Sequence, residues 1–354
     1  DHAQATSELD RLYVEQQQWA ALDELLAETA SASTDVRARE AIVVRRAALA
    51  TDRLGRPEAA LELLEGLVSS PTCPEPVVGL LEQIGQHDGL RVRTARLLEP
   101  VYERTGSWSA LLSSLETQRA AEGPIERAEL IGRVATVAEE RLGDLPTAYR
   151  AWCELFLADP NDSAPRQAVP RLAARLGQWQ PAIDAWRTAA SATTDLRLAA
   201  DLWGDLAGWY EAQGAVADAV AAWRAQLNAA ADDPEVQRHA GAELARLLEA
   251  GGDWRGLRDA LRTASAWSAT GTQRRDLLVR VAELEENRLA EPTSAIATWR
   301  DVLSESPDDL TGLVALERLL LGQRLHADVV DVFRRRIDSA RSPSEAVEYL
   351  RRLS

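Results

Sequence analysis

The chain has 354 residues, of which 46% are hydrophobic, and its 40 basic and 56 acidic side chains give a net charge of −16. This acidic balance argues against non-specific nucleic-acid binding, which needs a surface that neutralises phosphates. Two cysteines, Cys73 and Cys153, are too few for a disulfide framework or a structural zinc site. No apolar run reaches the roughly 18 residues that a membrane span needs.

Composition also bears on source and location. All 40 basic residues are arginines, and a chain rich in Ala and Arg suggests a bacterium with a GC-rich genome. The N-terminus lacks the charged and apolar regions of a signal peptide, which predicts a cytoplasmic location. Since the chain begins at Asp1 rather than Met, we expect a segment upstream of it.

One helical face recurs along the chain. Between a turn at Gly143 and a stop at Pro160, the residues Ala148, Trp152 and Phe156 are spaced every four positions, as on one side of an amphipathic helix. In chain order, the position of Trp152 is occupied by Leu26, Leu64, Leu115, Trp152, Trp186, Trp223, Leu261, Trp299 and Val332. Their spacings are 33 to 38 residues, apart from one of 51, and such a period indicates a helical repeat.

The long spacing falls between Leu64 and Leu115, where residues 71–88 supply one extra segment. Pro71, Pro74 and Pro76 disfavour a helix before Val77, because a residue that precedes proline is biased toward extended backbone. We therefore predict one inserted short helix at about Val77–Gln86.

The hairpin turns are of two kinds. One kind carries Gly and then Trp, as at Gly106 and Trp108, and the other carries Leu-Gly before a charged or proline-marked helix start, as at Leu142-Gly143. Four prolines fall at the start of a predicted second helix, where a missing N–H costs nothing: Pro57, Pro146, Pro181 and Pro292.

These features resemble the tetratricopeptide repeat (TPR) family. Residues 200–234 match its pattern best, through Trp203, Leu206, Ala207, Tyr210, Gly214, Ala219 and Trp223. The resemblance covers nearly the whole chain, although single units are degenerate, and it is to the long arrays of bacterial scaffold proteins. It implies an all-α fold, a right-handed α-solenoid of about nine TPR-like hairpins with one inserted helix. Residues 1–354 would form a single continuous superhelix, with first helices lining the concave face.

The tryptophans admit two interpretations. Rows of Trp could stack on sugars or bases, but most of them lie at repeat-defining positions, where a large ring fills the gap between hairpins. We expect Trp152, Trp186, Trp223 and Trp299 to be buried at equivalent sites, and Trp267 to be the most exposed.

No catalytic or metal-binding motif is present. The chain has no HExxH, CxxC, GxSxG or Walker-type loop, and its four histidines are scattered along it. Acidic pairs such as Glu139-Glu140 fit solvated helix ends better than acid/base chemistry. Cys153 fits a small core residue. We therefore predict no cofactor, no metal site and no enzyme activity.

Candidate binding residues follow from the TPR register. In that register, two first-helix positions eight residues apart face the concave side, and three hairpins carry arginine at both: Arg45 and Arg53, Arg133 and Arg141, Arg280 and Arg288. Arg offers bidentate geometry to carboxylates and phosphates, so an acidic or phosphorylated protein segment is one candidate partner. The alternative is that these arginines pair with nearby groups such as Asp52, Glu140 and Glu283 and join adjacent repeats.

Three functions remain open from the sequence. The first is a non-catalytic scaffold that binds a peptide or protein in its concave groove. The second is a structural or regulatory arm of a larger multidomain protein. The third, disfavoured by the missing catalytic residues, is a superhelical enzyme of the glycan-lyase type. Residues 342–350 repeat the start of a first helix without a partner helix, so we expect the array to continue beyond the ends of this chain.

Overall fold

A computed structural model of the chain describes residues 2–68, 75–87, 89–230, 233–268, 270–338, 347 and 351. All regular structure in this part of the chain is helical, which confirms the all-α class. The α-helices are α1 (His2–Glu15), α2 (Trp19–Ala32), α3 (Val36–Asp52), α4 (Pro57–Val68), α5 (Glu75–Ile84), α6 (Arg91–Thr105), α7 (Trp108–Arg119), α8 (Pro124–Thr136), α9 (Leu145–Ala158), α10 (Ser163–Leu176), α11 (Gln180–Ala192), α12 (Leu196–Ala212), α13 (Val216–Ala229), α14 (Pro234–Ala250), α15 (Trp254–Trp267), α16 (Gly271–Asn287), α17 (Pro292–Glu305), α18 (Leu310–Gly322) and α19 (His326–Asp338).

Within the described ranges, the helices follow one another as nine hairpins plus one inserted helix. The first helices are α1, α3, α6, α8, α10, α12, α14, α16 and α18, and each is followed by a second helix. Every hairpin turn holds one residue with a left-handed backbone, with φ between 53° and 73°: Gln17, Gly55, Gly106, Gly143, Gly177, Gly214, Gly252, Ala290 and Arg324. Such a residue ends a helix and reverses the chain, so the repeat is a property of the backbone as well as of the sequence.

Helix starts are set by aspartates and prolines. Asp side chains accept hydrogen bonds from backbone N–H groups at the starts of α3, α9, α10, α12, α14, α15 and α18. A carboxylate there satisfies an unpaired donor and complements the helix dipole. Part of the acidic excess therefore serves as helix caps. The four prolines lie in the first turns of α4, α9, α11 and α17, as predicted.

The inserted helix is α5, which lies between the hairpins α3–α4 and α6–α7. It confirms the break in the two-helix order. It begins at Glu75, two residues before the predicted start, because Pro76 is tolerated in a first turn. Pro71, Cys73 and Pro74 lie outside the described residues, as does most of the stretch 342–350.

The helices group into two compact units, Asp1–Ala182 and Ile183–Ser354. In the first unit, Leu64 and Leu115 are fully buried in a core that α3 to α9 share. In the second, Trp299 and Val332 are buried in a core that α16 to α19 share. That residues 1–354 form one continuous superhelix stays a prediction from the sequence spacing.

The expectation for the tryptophans is confirmed at three of four positions. Trp186, Trp223 and Trp299 are buried, and Trp267 is 39% exposed, as expected. The prediction for Trp152 was wrong, because its ring is only half-buried. One side of this ring packs against the core, while its indole N–H donates a hydrogen bond to Glu139, at 3.2 Å. The polar edge of an indole favours such a position at the margin of a core.

None of the helices that the structure describes is both long enough and apolar enough to cross a membrane.

Candidate partner-binding grooves

The first arginine of each predicted pair forms an ion pair with the preceding first helix. The pairs are Arg45 with Asp10, Arg133 with Glu99 and Glu103, and Arg280 with Glu249. The distance from Arg133 Nη1 to Glu99 Oε1 is 2.5 Å, and that from Arg280 Nη2 to Glu249 Oε2 is 3.4 Å. These carboxylates lie 30 to 35 residues earlier in the chain, about one repeat before the arginine.

The second arginine of each pair lies over a tryptophan ring. The guanidinium carbon of Arg53 is 5.2 Å from the ring centre of Trp19, that of Arg141 is 4.9 Å from Trp108, and that of Arg288 is 4.9 Å from Trp254. Each of these tryptophans is the first residue of a second helix, α2, α7 or α15. All six predicted arginines therefore contact the preceding hairpin.

These contacts support the interpretation that the arginines join adjacent repeats. The partners, however, differ from the expected Asp52, Glu140 and Glu283; Asp52, for example, accepts a hydrogen bond from Gln83 at 2.7 Å. The side chains of Arg45, Arg133 and Arg280 are 39% to 51% exposed. Each ion pair therefore contributes under about 1 kcal/mol.

Carboxylates of the preceding first helix favour the charged form of Arg45 and Arg133. The hydrogen bond to Asp10, aided by its charge, raises the pKa of Arg45 against the opposing effect of burial. Burial lowers the pKa of Arg133, but the bonds and charges of Glu99 and Glu103 outweigh it and raise the pKa overall. Both side chains are thus fixed cations, already engaged by carboxylates of the same chain.

One groove in the second unit, the α14–α16 groove, lies between two successive first helices and is closed below by α15. Its volume is about 780 Å³. Most of its lining side chains are small or apolar: Pro234, Gly241, Ala242, Ala245, Ala250, Leu261, Ala264, Trp267 and Leu277. Gly241 leaves room on α14, since no other atom lies within 4 Å of the place that a Cβ would take.

Charged side chains surround this apolar lining. Arg238, Arg246 and Glu249 on α14 and Asp276 and Arg280 on α16 complete the lining. Arg280 is thus the predicted site residue that lies in the α14–α16 groove. Arg238 and Trp267 also line it, and the repeat register did not predict either of them as a binding residue.

A second groove, in the first unit, lies between α7 and α8 and has a volume of about 660 Å³. Arg133, Arg141 and Trp108 line it, together with Glu103 and Glu140. Arg133 is held by Glu103 and Arg141 lies over Trp108, so both arginines of this groove already have partners in the same chain.

A second connection between repeats was not predicted from the sequence. In two places among the described residues, a carboxylate in or directly after a first helix accepts a hydrogen bond from the repeat-defining Trp and also binds an Arg of the next first helix. The sets are Trp152, Glu139 and Arg171, and Trp223, Glu211 and Arg246. Glu286 pairs with Arg318 at the corresponding place beside Trp299, whose indole nitrogen is buried with no hydrogen-bond partner among the described residues.

The groups with chemical potential are few. Burial raises the pKa of the Cys153 thiol to about 12, which keeps it protonated and weakly nucleophilic. Within the described ranges, no group of three or more His, Cys, Asp or Glu side chains is placed to hold a metal ion.

Comparisons with known proteins found similar solved structures but no match in sequence. No protein-family model matches the chain, and no curated protein matches it in sequence. Among solved structures, it is similar to the TPR domain of P58(IPK), with 15% identity, coverage of 100% of this chain and 97% of that one, and a TM-score of 0.24. It is also similar to the APC/C hetero-tetramer Cut9–Hcn1, with 13% identity, coverage of 97% and 82%, and a TM-score of 0.26.

Proposed function

We propose that the chain is a non-catalytic scaffold that binds a segment of another protein between successive first helices. The observation that carries this proposal is the α14–α16 groove. It combines an apolar lining with the 39% exposed ring of Trp267, and buried apolar area is what stabilises most protein complexes. An exposed Trp beside a groove is also a frequent anchor in such interfaces.

We assign the arginine pairs chiefly to joining the repeats, because each arginine contacts a carboxylate or a ring of the preceding hairpin. Arg280, which lines the α14–α16 groove, is the member that we include in the binding surface. This differs from a ladder that reads an acidic or phosphorylated segment, since a ligand would have to displace partners that are already bound.

A structural or regulatory arm is the second candidate. The contacts that tie consecutive hairpins favour it, because a chain of such contacts would stiffen an array against bending. The two functions differ in whether the isolated chain captures a partner.

Replacement of Gly241 by Trp tests the proposal. The new ring would fill the α14–α16 groove, and Gly66→Trp is a matched control, because Gly66 is a solvent-exposed helical glycine on α4 with equal space. Both changes remove a glycine from a helix and should not destabilise it. In a pull-down from cells that make the protein, we expect the wild type and Gly66→Trp to capture the same partner and Gly241→Trp to lose it. Equal capture by all three would contradict binding in this groove.

A further inference from the structure

We propose that the α14–α16 groove takes an amphipathic protein segment that presents apolar side chains and one acidic side chain, the latter bound by Arg238. This inference rests on the proposed function and specifies the chemistry of the partner. Three observations carry it: the shape of the apolar lining, the charge that is left over in the groove and the net charge of the chain.

The apolar lining can accept large side chains. Ala245 and Leu261 are buried and form the floor, while Gly241 and Ala242 on α14 add almost no bulk. Trp267 at the end of α15 offers an exposed ring to an entering group. A ligand side chain seated here would therefore exchange water for contact with apolar atoms on several sides.

Most charges of the groove are neutralised by the chain itself. The engaged pairs are Arg246 with Glu211 and Glu243, Arg280 with Glu249, and Asp276 with Arg275. Arg238 differs from them, because it is exposed and has no ion-pair partner among the residues that the structure describes. One guanidinium is thus left to bind a ligand, and its planar geometry suits a carboxylate.

The net charge of −16 limits how acidic the partner can be. A strongly acidic or multiply phosphorylated segment would be repelled by the rest of the chain, whereas a single carboxylate next to Arg238 gains a local ion pair. The groove therefore fits a segment whose binding energy comes mainly from apolar anchors and whose orientation is fixed by one Asp or Glu side chain.

The test is a selection of short peptides of random sequence on the full chain, followed by affinity measurements with peptides whose termini are chemically blocked. We expect the peptides that lose binding to Gly241→Trp to share bulky apolar residues and one Asp or Glu. Blocking the termini removes end carboxylates, so any remaining binding comes from a side chain. Ala242→Glu, at an exposed position in the groove, is a second blocking variant should Gly241→Trp not fold.

Three further variants isolate the charge. We expect Arg238→Gln to weaken the affinity for a peptide with an acidic residue about tenfold. The affinity for the same peptide with Gln in place of that acidic residue should stay unchanged. Arg238→Glu should instead bind the peptide more tightly when Lys replaces its acidic residue. Arg224→Gln, an exposed arginine on α13, should leave every affinity unchanged.

The outcomes separate the two proposals. The proposal that Arg238 binds an acidic side chain is overturned if the groove-dependent peptides carry no acidic residue, or if Arg238→Gln leaves the affinity for the acidic peptide unchanged. Either result leaves binding in the groove in place. If selected peptides bind Gly241→Trp and Ala242→Glu as well as the wild type, the proposed function itself is overturned.

Discussion

The guanidinium of Arg141 lies 4.9 Å from the centre of the Trp108 ring, and the same contact recurs between Arg288 and Trp254 at 4.9 Å. Arg141 lies in a π-helical turn, Val137–Leu142, that continues α8, and Arg288 directly follows α16. Each contact therefore joins the chain just after a first helix to the start of the preceding second helix. In both contacts the arginine lies about one repeat after the tryptophan. The recurrence indicates that these arginines help to hold adjacent hairpins together.

A double-mutant cycle tests this contact. We expect Arg141→Gln and Trp108→Leu to be coupled by about 0.5–1 kcal/mol in the free energy of unfolding, the range for a partly exposed cation–π contact. Urea titrations of the wild type, the two single variants and the double variant give the coupling. A cycle of Arg187→Gln with Trp108→Leu is the control, since Arg187 pairs with Asp184 within its own helix. No coupling in the first cycle would contradict the joining role.

The carboxylate of Glu139 should make stability depend on pH. The hydrogen bond from Arg171, together with that from Trp152, lowers the pKa of Glu139 against the opposing effect of burial. Its stabilisation is therefore fully present above the unfolded pKa of about 4.3 and is lost as the pH falls through the folded pKa.

Glu139→Gln measures this contribution. We expect it to lower the free energy of unfolding by roughly 1 kcal/mol at neutral pH. As the pH falls below about 4, the wild type should approach the variant, because its own carboxyl becomes protonated. Urea unfolding at several pH values gives both curves, and a difference that stays constant across the acid range would contradict the assignment.

The left-handed turn residue Ala290 offers a stabilising substitution. Its φ is 53°, whereas six other hairpins place Gly in this slot. Since a Cβ is strained there, we expect Ala290→Gly to raise the free energy of unfolding by about 1 kcal/mol. Ala221→Gly on the exposed face of α13 should instead lower it by about 0.5–1 kcal/mol, because there glycine only adds freedom to the unfolded chain. Thermal melts of both variants decide the matter, and a loss at both positions would contradict strain at Ala290.

Two buried tryptophans should respond differently to the same change. The indole N–H of Trp186 donates to Asp205 at 3.1 Å, whereas that of Trp299 is buried with no partner among the described residues. We expect Trp186→Phe to cost about 1–2 kcal/mol more than Trp299→Phe, because only the former breaks a hydrogen bond. Chemical denaturation compares them, and equal costs would show that ring volume alone decides.

The hairpins were predictable because their signals are local. Gly143 and Pro146 mark a turn and a helix start within a few residues, and the spacing of the Trp152-equivalent positions predicted the hairpins and the inserted helix. The partners of Arg133 and Arg141 were not predictable, since they depend on how far one hairpin is staggered against the next. Periodicity predicted that Trp152 is as buried as its equivalents. It could not reveal the hydrogen bond to Glu139, which holds the polar edge of the indole ring at the margin of the core.

The α14–α16 groove was hidden for a related reason. In the sequence, small residues on α14 such as Gly241 and Ala242 are indistinguishable from ordinary helix positions. They line a cavity only because α14 packs against α15 and α16. Trp267 was expected to be exposed, but its place beside Arg238 in one groove required the three-dimensional arrangement.

Photocrosslinking tests the central claim most directly. A benzophenone amino acid placed at Ala242, an exposed position within the α14–α16 groove, should crosslink the captured partner, whereas the same group at Gly66 on α4 should not. Mass spectrometry of the crosslinked product would then identify a bound segment with apolar residues around one Asp or Glu. A partner that crosslinks at Gly66 and not at Ala242 would show that binding lies outside the groove and would contradict the account.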